Sequence, residues 1–167
     1  MKLINICLTI ALITLLTGCI NKIEENNKEI AKELVYMHAN AWETGNLELL
    51  DSVLHKDVVF AYPGRRLNKD ETLKDFLEYN KAFKDTKIYI NKIIVNGDDL
   101  AVEWQFASTN IKTGNRTAVS DAIIGKIEDG KIIIWKEYLD GRVSRLQTAG
   151  NLSLEEGEEP FPWPKKK

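Results

Sequence analysis

The chain reads as an α+β domain, a cone of N-terminal helices packed on a curved antiparallel sheet. Three observations predict it. Apolar residues recur at three- and four-residue spacing up to Phe83 and at two-residue spacing from Lys87 onward. The alternating stretches are separated by Asn96-Gly97, Thr113-Gly114 and Asp129-Gly130, turns short enough to make consecutive strands antiparallel neighbours. Helices first and strands afterwards is the order that puts the helices on one face of such a sheet.

A length of 167 residues fits one domain. Acids outnumber bases, the net charge is −2, and no basic stripe exists, so a nucleic-acid partner is not expected. The first 18 residues carry a different message. Lys2 supplies a positive start and Ile4–Leu16 an apolar run too short to span a bilayer as a stable helix. The run ends in Leu16-Thr17-Gly18-Cys19, which resembles the lipobox of bacterial lipoproteins. That resemblance implies removal of residues 1–18, lipidation of Cys19, and an extracytoplasmic domain anchored to a bacterial membrane. Cys7 leaves with the signal and Cys19 is acylated, so no thiol remains for a disulfide, a nucleophile or a metal. Lys2 is the one charge lost, which takes the net charge from −2 to −3.

Residues 19–28 form the lipidated cysteine and a short tether, and residues 29–148 the folded domain. Ile30, Leu34, Val35, His38, Ala41 and Trp42 make one apolar stripe of a first helix, which Gly45 stops. Asn46 caps a second helix with Leu47, Leu50, Val53 and Leu54. Asp57–Tyr62 is a strand broken by Pro63-Gly64. Asn68 or Asp70 caps a third helix with Leu73, Phe76, Leu77 and Phe83 on its buried side. Four strands follow, Lys87–Val95, Leu100–Thr109, Thr117–Ile127 and Lys131–Asp140. Residues 149–167 are acidic, then alternate proline with aromatics, then end in three lysines, a composition that predicts a disordered tail.

The last hairpin defines a face. With Asp129-Gly130 as the central turn residues, Ile127 faces Ile132, Ile123 faces Lys136 and Asp121 faces Tyr138. Centring the preceding turn on Thr113-Gly114 places Asp121 opposite Phe106 and Ile123 opposite Trp104. Both turns agree on the inner face, which carries Leu100, Val102, Trp104, Phe106, Asp121, Ile123, Tyr138 and Asp140. Trp135 falls on the outer face with Ala101, Gln105 and Ile124, a surface suited to pairing two copies.

The order of elements, with Trp42, Asp57-Val58-Val59-Phe60, Tyr62-Pro63-Gly64 and Gly130-Lys131-Ile132…Trp135…Tyr138…Asp140, resembles the SnoaL-like branch of the nuclear transport factor 2-like superfamily. The resemblance spans Ile30 to Arg145. It implies a helix-on-sheet cone with an internal pocket, and it covers cyclases, isomerases, hydrolases, dehydratases and non-catalytic binders alike. The arginine and aspartate that assist epoxide hydrolysis in one branch align with Trp104 and Phe106, so that reaction is not expected.

Asp121 on an apolar face is a candidate acid–base group, Asp140 its diagonal partner, and Tyr138 a donor to developing negative charge. Each acid has a structural alternative: Asp140 as a turn cap or a partner of Arg142 or Arg145, Asp121 as a buried hydrogen-bond partner of Tyr62 or His38. His38, Trp42, Tyr62, Trp104 and Phe106 are candidate ligand contacts, and equally core residues. Two histidines without flanking carboxylates make no metal set, and no cofactor is expected. Two functions remain. One is a pocket that binds a small apolar ligand or a partner without chemistry, the favoured reading. The other is an acid–base enzyme using Asp121 and Asp140.

Overall fold

The computed structural model describes residues 25–139, 141–152, 154 and 159–160. The signal segment, Cys19 and Asp140 lie outside the described residues. Helix α1 (residues 25–44) buries Leu34, Val35, His38, Ala41 and Trp42, while Ile30 sits at the margin. Gly45 ends it with φ of 66°. Asn46 caps α2 (Leu47–Val53) by accepting the Leu49 N–H at 2.9 Å. Strands β1 (Leu54–Tyr62) and β2 (Arg65–Leu67) form a small hairpin. Asn68 and Glu71 then make a reciprocal capping box for α3 (Lys69–Ala82). Phe76 is buried, but Leu77 is exposed, and Phe83 leaves the helix to begin the next strand.

Strands β3 (Phe83–Asn96), β4 (Asp99–Asn110), β5 (Arg116–Glu128) and β6 (Lys131–Leu139) form the expected meander. Strand β1 joins it parallel to β6, giving a six-stranded mixed sheet in the order β2-β1-β6-β5-β4-β3. The core lies between the inner face of this sheet and helices α1 to α3. It contains Trp42, Leu50, Leu54, Phe60, Phe76, Val102, Trp104, Ile123 and Trp135.

Two registers differ from the sequence reading, with opposite consequences. Between β4 and β5 the turn takes residues 111–115, and the pairing slides by two, so Asp121 faces Trp104 and Val119 faces Phe106. An even slide leaves every side chain on its own face. Between β5 and β6 the tight turn forms as expected, with Asp129 and Gly130 both at positive φ (49° and 68°). Ile127 faces Ile132, but Lys126 already faces Ile134, so β6 carries one extra residue, a β-bulge. An odd slide turns the rest of the strand over. Asp121 pairs with Leu139 instead of Tyr138, and Glu137 and Trp135 turn inward. Trp135 is completely buried rather than on the outer face. Its place on the strand is opposite Gly125, where an added Cβ would meet Leu100 Cδ1 at 2.9 Å.

Helix α4 (Gly141–Thr148) follows, an element the sequence reading did not assign. It continues along β5 where β6 has ended. Gln147 Oε1 accepts the Ala118 N–H at 3.1 Å and Gln147 Nε2 donates to the Ala118 carbonyl at 3.5 Å. One side-chain amide thereby satisfies backbone groups that a paired strand would otherwise take. Glu159, within the tail segment, accepts Arg116 Nε–H at 2.8 Å and the Tyr89 hydroxyl at 3.1 Å.

Candidate active site

The inner face of the sheet is not filled by the helices. A cavity of about 290 Å³ remains between them and is lined mainly by rings. Trp42 enters it from α1, Tyr79 from α3, Phe60 and Tyr62 from β1, and Trp104 and Phe106 from β4. The rings brace one another edge to face: Trp42 on Phe106 at 5.9 Å and Tyr79 on Phe106 at 5.6 Å. At one end the wall is Ser108 and Thr117, opposite each other on β4 and β5. Further in lie the carboxyls of Asp121 and Glu137.

Asp121 is 5% exposed. Its Oδ2 accepts the Trp104 indole N–H at 3.2 Å and its Oδ1 the Tyr138 backbone N–H at 3.0 Å. Burial lifts its pKa to about 6, and those N–H donors oppose the rise. Glu137 stands two positions along β6 from Leu139, Asp121's direct partner, and so is its diagonal neighbour on the same face. Its Oε1 accepts the Trp135 indole N–H at 3.0 Å. Burial first, and the negative charge of Asp121 second, push its pKa up to about 8. The two carboxyls titrate as a unit, and near neutral pH they hold one proton and one charge between them.

The structure distributes the expected site residues unevenly. Trp42, Tyr62, Trp104, Phe106 and Asp121 all line the cavity. Tyr138 does not: the bulge turns it to the outer face, where it is 62% exposed. The partner foreseen for Asp121 was Asp140, outside the described residues, whereas the carboxyl the structure brings to it is Glu137. Glu137 was missed because the two-residue alternation, read without the bulge, puts it on the other face. The three consecutive isoleucines Ile132–Ile134, where strict alternation breaks down, were the available signal.

His38 is fully buried beneath the site rather than on its wall. Its ring lies 4.3 Å from Trp135 and 5.9 Å from Trp104, the two indoles that hold the carboxyls. Its Nε2 accepts the Trp42 indole N–H at 3.3 Å, and burial lowers its pKa to about 3, so it is neutral. Tyr62 donates to Asp75 at 2.7 Å instead of to Asp121. Among the described residues no group of three His, Cys, Asp or Glu side chains is arranged to hold a metal ion.

The SnoaL-like domain family matches residues 35–135. The chain belongs to that family. No curated protein matches this SnoaL-like chain in sequence. Solved structures match its fold at low identity. A protein with a ketosteroid isomerase-like fold from Catenulispora acidiphila, in complex with trimethylamine, is 17% identical with a TM-score of 0.65, over 70% of this chain and 92% of that one. An LEH-like epoxide hydrolase from M. tuberculosis is 18% identical with a TM-score of 0.64, over 74% of this chain and 92% of that one. An NTF2-like protein from Burkholderia thailandensis is 14% identical with a TM-score of 0.62, over 70% of this chain and 95% of that one. The SnoaL-like domain thus shares its fold with proteins of differing chemistry, and its own residues must decide between them.

Proposed function

We propose that the pocket carries out proton transfer on a small apolar molecule, with Asp121 and Glu137 as the acid–base pair. The observation that carries this reading is the pair itself, a buried and a half-buried carboxyl in electrostatic contact on the wall of an aromatic cavity. Asp121 has two N–H donors on its oxygens, which favour its charged form, so it ionises first and serves as the base. Glu137 keeps its proton longer and serves as the acid. A base and an acid side by side near neutral pH is what removal of a proton from carbon and its return at another position require, the common step of isomerisation, cyclisation and dehydration.

The test is hydrogen–deuterium exchange at the carbon next to the carbonyl, followed by NMR in D2O, on a panel of small apolar ketones with and without an amino group. The expected result is exchange accelerated by the wild type and slowed by about 100-fold or more in Asp121→Asn, the usual scale of general acid–base catalysis. A pocket that only binds would retain its affinity for these ketones and exchange them no faster than that variant.

We also propose that the domain is exported and anchored through Cys19, in keeping with the lipobox-like Leu16–Cys19. Labelling cells with a fatty-acid analogue should mark the wild type and leave Cys19→Ala unmarked. Two copies would pair through the outer face, where Ile94, Ile124 and Tyr138 are exposed. Sedimentation should then give a dimer for the lipid-free domain and a monomer for Ile124→Glu.

A further inference from the structure

Among the described residues three carboxyls line the cavity, and they are not alike. Asp75 has a cation at hand: Arg65 Nη2 lies 3.7 Å from it, and the Tyr62 hydroxyl donates to its other oxygen. Asp121 and Glu137 are held by N–H groups of Trp104, Tyr138 and Trp135. Such donors orient a negative charge without cancelling it, and an ionised carboxylate facing apolar rings is costly until a cation meets it. The rings that share the cavity with them are suited to receive one. Trp42, Tyr79 and Phe106 meet nearly perpendicular to one another, so the box they form turns ring faces as well as edges toward the cavity. Ring faces attract organic cations, most strongly where water is excluded.

Each half of this wall alone would suit a different occupant. Rings alone suit a neutral hydrocarbon. Carboxyls alone suit a metal ion, but among the described residues no three His, Cys, Asp or Glu side chains are grouped closely enough to hold one. Rings and carboxyls together suit a cation with a hydrocarbon body. The room is adequate for one: the cavity runs from Asp121 to Thr117, ~13 Å along β5 at the usual rise per residue.

We infer that the substrate of this pocket is a small apolar amine, its protonated nitrogen seated against Asp121 and Glu137 and its hydrocarbon body among the rings. This rests on the acid–base reading of the same pocket and adds the substrate class to it. The nitrogen pairs with one carboxylate, and the other is left free to exchange a proton with carbon.

Trp42 and Trp104 line the cavity, so their fluorescence reports its occupancy. The probes are N,N-dimethylcyclohexylamine and 1-cyclohexylethanone, similar in shape, one cationic and one neutral. The amine should bind the wild type about tenfold or more tighter than the ketone at alkaline pH. Its affinity should fall as pH drops through the range in which the pair takes up protons, while the ketone's does not. The double variant Asp121→Asn/Glu137→Gln should lose about tenfold or more for the amine and keep its ketone binding, which also reports that the variant is folded. The amine inference is overturned if the ketone binds as tightly as the amine, or if removing both carboxyls leaves amine affinity unchanged. In either case ketone exchange by the wild type would leave the acid–base reading standing. If neither probe alters the fluorescence, the pocket reading falls with the inference.

Discussion

Trp104 and Asp121 face each other across β4 and β5, and the indole N–H of one reaches a carboxylate oxygen of the other at 3.2 Å. The donor favours the ionised acid against a burial that disfavours it. Trp104→Phe keeps a ring in the wall and removes the donor. The Asp121 titration should then move to higher pH by about one unit, given the usual strength of a hydrogen bond to a charged group. The pH profile of ketone exchange would show it as an alkaline shift of its acidic limb.

The pair also sets a stability profile. Both folded-state pKa values lie above their ordinary values, so the carboxyls resist losing protons that the unfolded chain gives up freely. Below about pH 4 both states are protonated and no penalty exists. As pH rises through about 6 and then about 8, the folded state must carry the charges, and stability is lost. Glu137→Gln removes the larger share of this loss. Urea unfolding above pH 8 should find it more stable than the wild type by roughly 3 kcal/mol, a figure reduced because Glu137 is only partly buried. At pH 4 the two should be close.

His38 has the opposite sign. Its folded pKa is lowered to about 3 by burial, so its contribution is present above the ordinary histidine value and is lost as pH falls from there toward 3. Its Nδ1, the nitrogen left to carry the proton, has no hydrogen-bond partner among the described residues, and it gives nothing in return for being polar. His38→Leu should flatten the acid side of the stability curve, with a gain near pH 4 on the order of 2 kcal/mol. Unfolding curves at several acidic pH values measure this. If His38 also steadies the two indoles stacked near it, the same variant will shift the exchange profile.

Gly125, the strand partner of Trp135, makes room for the Leu100 side chain. A Cβ there would lie 3.0 Å from the Ile134 carbonyl and closer still to Leu100. Gly125→Ala should therefore destabilise the domain by about 1–3 kcal/mol, the usual cost of overpacking. It should also loosen the Trp135 contact that holds Glu137, so the upper pKa of the pair should change with it.

The fold was legible because its signals are redundant. Asn46, Asn68 and Asp129-Gly130 each mark a boundary by local chemistry, and the structure has caps or turns at all of them. Trp104, Phe106 and Asp121 reached the pocket despite a misplaced turn, because a slide of two residues preserves the face. Glu137 did not, because a bulge of one residue reverses it. The run Ile132–Ile134 breaks the alternation, but its three side chains are alike and none says whether or where a residue is inserted. Trp135 and Tyr138 exchanged places for the same reason. The bulge coincides with a tertiary contact: β1 lies parallel on the other side of β6 and shifts register across the same residues.

The central claim is that Asp121 and Glu137 share a proton in the pocket. Side-chain carboxyl 13C NMR, with Asp121→Asn and Glu137→Gln as assignments, measures it most directly. The account predicts two carboxyls titrating near 6 and near 8, and a lower value for Glu137 once Asp121 is replaced, since the charge that raises it is gone. Two independent titrations in the ordinary range near 4, each unmoved by loss of the other, would contradict it.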